Sequence, residues 1–465
     1  MAQTLLRDEV TLTAVQKIAD YAHSLRFEDL DAQTVTRARQ VMLDTIGTMV
    51  GGYQTDLGQL ATKFAQLEPG NTGDGATLIG SGAKSGVEGA AFANAVMAKH
   101  LGMDDSSRTC GHVAAELIPL LLAIGEHKNL TGRQLITALA AGYDVVGVVE
   151  PAVKQAQREK GLDQKSQAGT LASAVTAALA LGLDAEQTAQ ALALSTDMAC
   201  GTEQYVYDAG LCDTKDLLSG YAAKNGIYAA KMAAFGFRGP PGALDGDYGY
   251  FHAFGPGYDE TYLDKLGTPF ALANTGFKPH AGCRHVHGCV DATHELLKKG
   301  RPNLADITAI EIRSYTGAIT PSFRVNYDPQ TVGQAGFSLP VTVAVVLNRE
   351  SWYKEDIEAY SEPETRRLWP LVTVKLDDAI NAAYPAKNGC NVKITTKDGT
   401  VYEGRVEHAK GEPENMLSEV EFEQKFRRLV EDCLPTEHIQ QIIDLCSRLE
   451  SLEDVGDLVK LAVQA

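Results

Sequence analysis

The sequence predicts a mainly α protein in which a large all-helical domain is joined by a smaller α+β lid, and three observations carry that prediction. Apolar residues recur at three- and four-residue steps from Thr11 to about Phe235. Alternating, β-branched stretches are confined to the chain beyond residue 270. Helical periodicity then returns after Gly411, so the tail is expected to pack back on the helical part. At roughly 150 residues per domain, 465 residues suit two or three such units.

The first helix is marked by Val15, Ile18, Ala19, Ala22 and Leu25 behind a Thr13 to Gln16 capping pattern. Val35, Ala38, Val41, Met42 and Ile46 repeat it up to Gly51-Gly52. Ala-rich helices are expected over 85–101, 114–126, 132–149, 168–182, 185–199 and 216–234. Faces built from Ala and Gly let helices approach closely, which predicts a dense bundle rather than helices laid on a sheet. Gly239-Pro240-Pro241-Gly242 and the Gly- and Tyr-rich run to Gly257 stop the helical pattern. The helical domain is therefore assigned to 1–269 and completed by 412–465, with 270–411 as the lid. Within the lid Ile310 and Ile312 alternate with Glu311 and Arg313, and Asp398-Gly399 sits between two strand patterns as a hairpin turn. Ser418 and Glu421 form a capping box ahead of Phe422, Phe426 and Leu429.

Lys and Arg number 42 against 60 Asp and Glu, a net charge of −18. That excess disfavours nucleic acid and anionic membrane surfaces as partners. The longest weakly polar run, Thr170 to Leu183, is too short to span a bilayer. Eight Cys without a CxxC pair, and a polar N-terminus without an apolar signal core, lead to the expectation of a reduced, cytoplasmic protein.

Several motif readings fail. Gly80-Ser81-Gly82-Ala83-Lys84-Ser85-Gly86 has neither dinucleotide nor phosphate-loop spacing and reads as a loop entering a helix. No GxSxG elbow is present. The densest chemical cluster runs from Lys278 through His280, Cys283, Arg284 and His285 to His287. Together with Asp104, Asp105, Cys110 and His112 it has the donors of a metal shell. Lys278 and Arg284 in the same run would repel a cation and suit an anion. No metal is therefore expected at these residues, and the bland alternative is a set of loop histidines bonded to backbone.

Taken in order, several segments resemble the MmgE/PrpD family, the group of 2-methylcitrate dehydratase, cis-aconitate decarboxylase and iminodisuccinate epimerase. They are Leu43-Asp44 with Gly47; Met103-Asp104-Asp105 with His112; Ala168-Gly169-Thr170; Thr214-Lys215; Phe277-Lys278-Pro279 with Cys283-Arg284 and His287; Phe337-Ser338-Leu339-Pro340; and Lys410-Gly411 with Pro413 and Asn415. The resemblance implies a helical domain with an α+β lid, a homodimer without cofactor, and a site in the cleft between the two domains. Asp104, His112, Lys215 and Lys278 match the family's catalytic positions. Departures accompany the matches. Arg108 stands where a second His is usual, Asp163 where Gly-Phe-His ends, Leu218 where Lys-Arg-Leu-His ends, and Val341 where a Tyr follows Phe-Ser-Leu-Pro.

The resemblance implies a lyase or isomerase acting on a small carboxylated metabolite by proton abstraction next to a carboxylate. Lys215, Lys278, Arg284 and Arg108 would neutralise substrate carboxylates and enolate charge. His112, just ahead of a helix, would be the base and Asp104 its orienter. His285 and His287 are the second-ranked proton carriers, and Tyr205 and Tyr207 are expected to touch substrate. With proton carriers exchanged for Arg108, Leu218 and Val341, epimerisation or isomerisation is favoured over dehydration. The chain is then expected to be a poor 2-methylcitrate dehydratase and a poor cis-aconitate decarboxylase, holding a carboxylate near Arg108 and an apolar portion against Leu218 and Val341. Two alternatives stay open: an altered family member that binds an anion or partner without turnover and, more remotely, a metal-dependent hydrolase.

Overall fold

The computed structural model describes residues 12–67, 75–109, 111–320 and 322–464. Cys110, one of the candidate metal donors, lies outside them. The body is built from α1 (Ala14–Ser24), α2 (Ala32–Tyr53), α3 (Asp56–Ala65), α4 (Val87–His100), α5 (Ala114–Lys128), α6 (Gly132–Glu159), α7 (Gln164–Leu181), α8 (Ala185–Ser195) and α9 (Thr214–Ala234). Small side chains set its packing. In α4, Ala90, Ala91, Ala93, Ala95 and Ala98 are all buried, so this helix has no solvent face to speak of. A β-carbon on Gly52 would lie 2.1 Å from the Met97 carbonyl oxygen, which shows how closely α2 and α4 approach.

Two boundaries differ from the sequence expectation. The apolar pattern fades near 149, yet α6 continues through Pro151 to Glu159. Proline removes one helical hydrogen bond, but buried Val148, Val149 and Val153 hold the segment against its neighbours on either side. Helix α7 starts at Gln164 because Asp163 caps it, its Oδ1 accepting the Ser166 N–H at 2.8 Å. Helix α6 alone is long and apolar enough to cross a membrane among the described residues, and 78% of that window is buried inside the body.

Beyond the body, α10 (Arg284–Lys299) and α11 (Leu339–Arg349) cover a four-stranded sheet. With β1 (Ala76–Thr77) and β2 (Lys84–Ser85) forming a small hairpin before α4, the remaining strands are β3 (Asp105–Ser106), β4 (Gly276–Phe277), β5 (Ile307–Ser314), β6 (Val372–Leu376), β7 (Cys390–Thr396) and β8 (Val401–Val406). The sheet order is β6-β5-β7-β8, parallel between β5 and β6 and otherwise antiparallel. Gly399 turns the β7–β8 hairpin at a φ of 81°.

Two links between distant segments position the site. Strand β3 pairs with β4, and the register Asp105 to Phe277 places Asp104 beside Lys278. The chain also returns to the body through α12 (Glu419–Val430) and α13 (Thr436–Ser447). Ser418 and Glu421 cap α12 reciprocally, and buried Lys425 donates to Asp44 Oδ1 at 2.5 Å and to the Met103 carbonyl at 2.6 Å. One ammonium thus ties the tail to α2 and to the segment that carries Asp104 into β3.

Candidate active site

A cleft of about 1770 Å³ lies between body and lid and takes side chains from both. At its centre Asp104, 2% exposed, accepts a hydrogen bond from Lys278 Nζ at 2.7 Å on Oδ1 and from Lys99 Nζ at 2.8 Å on Oδ2. Burial pushes the Asp104 carboxyl up, but Lys278, Lys99 and His112 together hold it well below the usual carboxylate range. Burial, and then Lys99 as a like charge, bring the Lys278 ammonium down to about 8, against the pull of Asp104. Three charged groups in a buried corner thus leave one ammonium that holds its proton less firmly than an ordinary lysine.

His112 joins this group. Its Nδ1 sits 2.5 Å from the Asp105 carbonyl oxygen and 3.5 Å from Asp104 Oδ2. A carbonyl only accepts, so Nδ1 carries the hydrogen and Nε2 the lone pair. Burial, then Lys278 and Lys99, hold the imidazole well below its usual range and keep it neutral. The side chain lines the cleft just ahead of α5, as a base should. It is the Asp105 carbonyl, more than the Asp104 carboxylate, that fixes its tautomer.

Other expected residues are placed differently. Lys215 lines the cleft, with Nζ 2.7 Å from Asp216 Oδ1. Arg284 also lines it, but donates to Glu412 at 2.6 Å. Arg108 is held by the same Glu412 and by Glu414 at 2.8 Å. Arg108 lines the cleft as expected, but a guanidinium already forked onto two carboxylates is a poor receptor for a third, and here it fastens the 412–414 segment to the body. His285 lines the cleft and shares a hydrogen bond of 2.8 Å with Tyr315 Oη. His287 does not reach the cleft; it is fully buried behind its wall, with Arg284 donating to Nδ1 at 3.3 Å. Val341 is likewise buried inside α11 and cannot provide the expected apolar wall, whereas Leu218 does line the cleft. Tyr205 donates to Asp163 Oδ2 at 2.7 Å, and Tyr207, 55% exposed, packs its ring on Phe323 at the rim.

The contacts of these residues do not favour a metal shell. Asp104, Asp105 and His112 are close enough for one cation, but the Asp104 oxygens are taken by two ammonium groups. Those of Asp105 are taken by Tyr143 Oη at 2.8 Å and the Ala114 N–H at 3.2 Å.

Residues that the sequence did not point to complete the site. Glu116 stands in the first turn of α5, four residues after His112, and lines the cleft. Burial pushes its carboxyl well above the usual range, Lys99 only partly opposing it, so Glu116 holds its proton more tightly than a free carboxyl does. Its Oε1 is 3.4 Å from Ser219 Oγ, and Oε2 has no partner among the described residues. Gly169 makes room for it, since a β-carbon there would lie 1.7 Å from Oε2. A single acid in the apolar run Ala114 to Ile118 was the available signal. Lys165 lines the cleft with no ion pair or hydrogen bond to the described residues, which leaves its ammonium free for a ligand. Lys99 ends a helix of Ala and Val, and nothing in its local sequence distinguishes it from a solvated helix-end lysine.

Residues 16–262 match the MmgE/PrpD N-terminal domain model, and residues 280–449 match the C-terminal domain model. The chain belongs to the MmgE/PrpD family. Within this MmgE/PrpD group it is 26% identical to the cis-aconitate decarboxylase of Homo sapiens, covering 96% of this chain and 94% of the relative. It is 24% identical to that of Aspergillus terreus, covering 96% and 95%. Kinship over nearly the whole length makes this MmgE/PrpD protein an enzyme of the lyase or isomerase kind, with the mainly helical two-part architecture seen above.

Proposed function

We propose that the enzyme removes a proton from the carbon next to a carboxylate of a small polycarboxylate, with His112 Nε2 as the base. The observation that carries this reading is a neutral, lone-pair-bearing imidazole lining the cleft beside the buried ammonium of Lys278. The C–H electron pair moves into the neighbouring carboxylate as an enolate, whose charge Lys278 stabilises in a site of low dielectric. Lys165 anchors a second carboxylate, and protonated Glu116 returns a proton to the carbon. Proton removal and return amount to epimerisation or isomerisation. A second reading, loss of carbon dioxide, draws on the relatives named as cis-aconitate decarboxylases and uses the same cation and proton donor without needing the base.

The deciding experiment incubates the protein with citrate-like, aconitate-like and amino-dicarboxylate compounds in deuterated water and follows mass and exchange. Deuterium uptake at constant carbon skeleton is expected. Release of carbon dioxide supports the second reading, and neither exchange nor turnover across the panel leaves a binder without chemistry. Turnover of cis-aconitate or 2-methylcitrate at on the order of 1 to 1,000 per second would overturn the preference for proton return.

The pH profile tests the assignment of Lys278. The cationic form is the useful one, so kcat/KM is expected to fall as pH rises through about 8, where the free enzyme loses this proton. A rise over the same interval would make Lys278 the base instead. Glu116→Gln is expected to lower kcat by about 100-fold, within the usual range for an acid–base group, with little change in KM. Lys165→Ala should raise KM by about tenfold to a hundredfold, the loss of one charge-assisted contact.

We also infer a homodimer. Leu60 and Phe64 on α3 and Tyr221 and Tyr228 on α9 are exposed, and ring contacts from Phe64 to Tyr221 through the buried Phe92 bring the two helices' exposed residues side by side. Sedimentation is expected to give twice the chain mass of 49.8 kDa, and a monomer at micromolar concentration would refute it.

A further inference from the structure

Outside the cleft, helix α10 carries Asp291 and His294 three residues apart, so both side chains rise from one face of the helix. His280, in the loop that leads into α10, meets them there. Each of the three offers one ligand atom, and these atoms lie within 4.8 Å of one another. His280 Nε2 stands 2.9 Å from Asp291 Oδ1. None of the three lines the cleft, and all are half-buried, open enough for a cation to enter from solvent.

The outer contacts of this cluster are those a cation site requires. Asp291 Oδ2 accepts the Lys410 N–H at 2.7 Å, which turns Oδ1 toward His280. His294 Nε2 is 3.2 Å from the Glu350 carbonyl oxygen. The carbonyl can only accept, so the hydrogen sits on Nε2 and the lone pair on Nδ1. An imidazole anchored by a carbonyl through one nitrogen, with the other left as an electron pair, is how ligating histidines are held. The contrast with Asp104, Asp105 and His112 is instructive: there ammonium, phenol and amide donors already fill the oxygens, whereas here no ammonium contacts the three side chains in the described structure. Arg284, whose charge acts on Asp291, is paired with Glu412.

We propose that His280, Asp291 and His294 bind one divalent transition-metal ion, zinc by preference. Two imidazoles and a carboxylate suit a borderline cation far better than calcium or magnesium, which ask for oxygen. As the ion enters, the hydrogen between His280 Nε2 and Asp291 Oδ1 leaves that contact by a tautomer shift to His280 Nδ1, which frees the Nε2 lone pair, and water completes the coordination. The ion is structural. It clamps the 278–283 segment, which carries Lys278, onto α10, and it takes no part in the chemistry of the cleft. The site is independent of the reaction proposed above.

Full-length, tag-free protein stripped with a chelator is titrated with Zn²⁺ and with Co²⁺, then desalted for metal analysis. One ion per chain is expected, with visible Co²⁺ bands of low coordination number and a Zn²⁺-dependent rise in melting temperature. Asp291→Asn and His294→Ala should each weaken binding more than about 100-fold, exceeding the loss of an outer contact, and abolish the thermal rise. His112→Ala should leave the stoichiometry at one. Either ligand variant suffices if the other fails to fold. Absence of bound ion in the unmodified protein, or retention at unchanged affinity in a folded ligand variant, overturns the proposal.

Discussion

Replacing Lys278 by alanine is expected to lower kcat/KM by about 100- to 1,000-fold, the range found when a single preorganised charge-stabilising donor is removed from a water-excluded site. The ammonium is 3% exposed and 2.7 Å from Asp104. Its proton is held less firmly than in water, down to about 8, so the resting protein bears a cost for keeping it charged. Developing negative charge on a substrate relieves that cost, which is what makes the group more useful in the transition state than in the ground state. Folding should survive, because Lys99 and His112 still face Asp104. Steady-state kinetics alongside a thermal melt checks both halves. Activity within about threefold of the parent would remove Lys278 from the proposed mechanism, and equal collapse of melting temperature and activity would make it a structural cation. Lys215→Ala serves as a comparison with a smaller expected loss, since Asp216 already engages that ammonium.

Lys425→Ala is expected to destabilise the protein by about 3 to 5 kcal/mol, the cost of leaving one partner of a buried ion pair alone. Asp44 is enclosed, and burial pushes its carboxyl up with Lys425 as the chief opposing charge. Without Lys425 the Asp44 carboxyl must take up a proton or remain as an uncompensated charge, and the Met103 carbonyl loses its donor. The double variant with Asp44→Asn should recover part of the loss, because a neutral amide costs less to bury than a lone anion. Denaturant unfolding of the four proteins of this cycle measures it, and a loss below about 1 kcal/mol for Lys425→Ala would show that water reaches the pair. The prediction reaches function as well, since the same ammonium holds the residue before Asp104.

Much of the architecture was legible in local pattern. The Thr13 and Ser418 caps, the Ala faces of the body helices and the Asp398-Gly399 turn all express short-range preferences that their neighbours reinforce. The end of α6 was not legible, because burial on both sides of Pro151 overrides the breaker. The candidate site divides in the same way. Asp104, His112, Lys215 and Lys278 came from the family resemblance and line one cleft, whereas His287, from the same resemblance, and Val341, singled out as a departure from it, lie behind its wall.

By itself the sequence determined which ionisable groups are present, that most of the chain is helical, and which family-like motifs it holds. Only the tertiary structure decided which of those groups are spent on each other. Arg108 meets Glu412 across 304 residues and Lys278 meets Asp104 across 174, pairings that no local window contains. Those contacts hold Arg108 and Arg284 on protein carboxylates, leave Lys165 free of a partner among the described residues, push the Glu116 carboxyl upward and fix the lone pair of His112 on Nε2. The physical reason is that a charge acquires its chemistry from its surroundings: burial sets the cost of ionisation, and the nearest partners, brought together by packing, decide whether that cost is met within the protein or by a substrate.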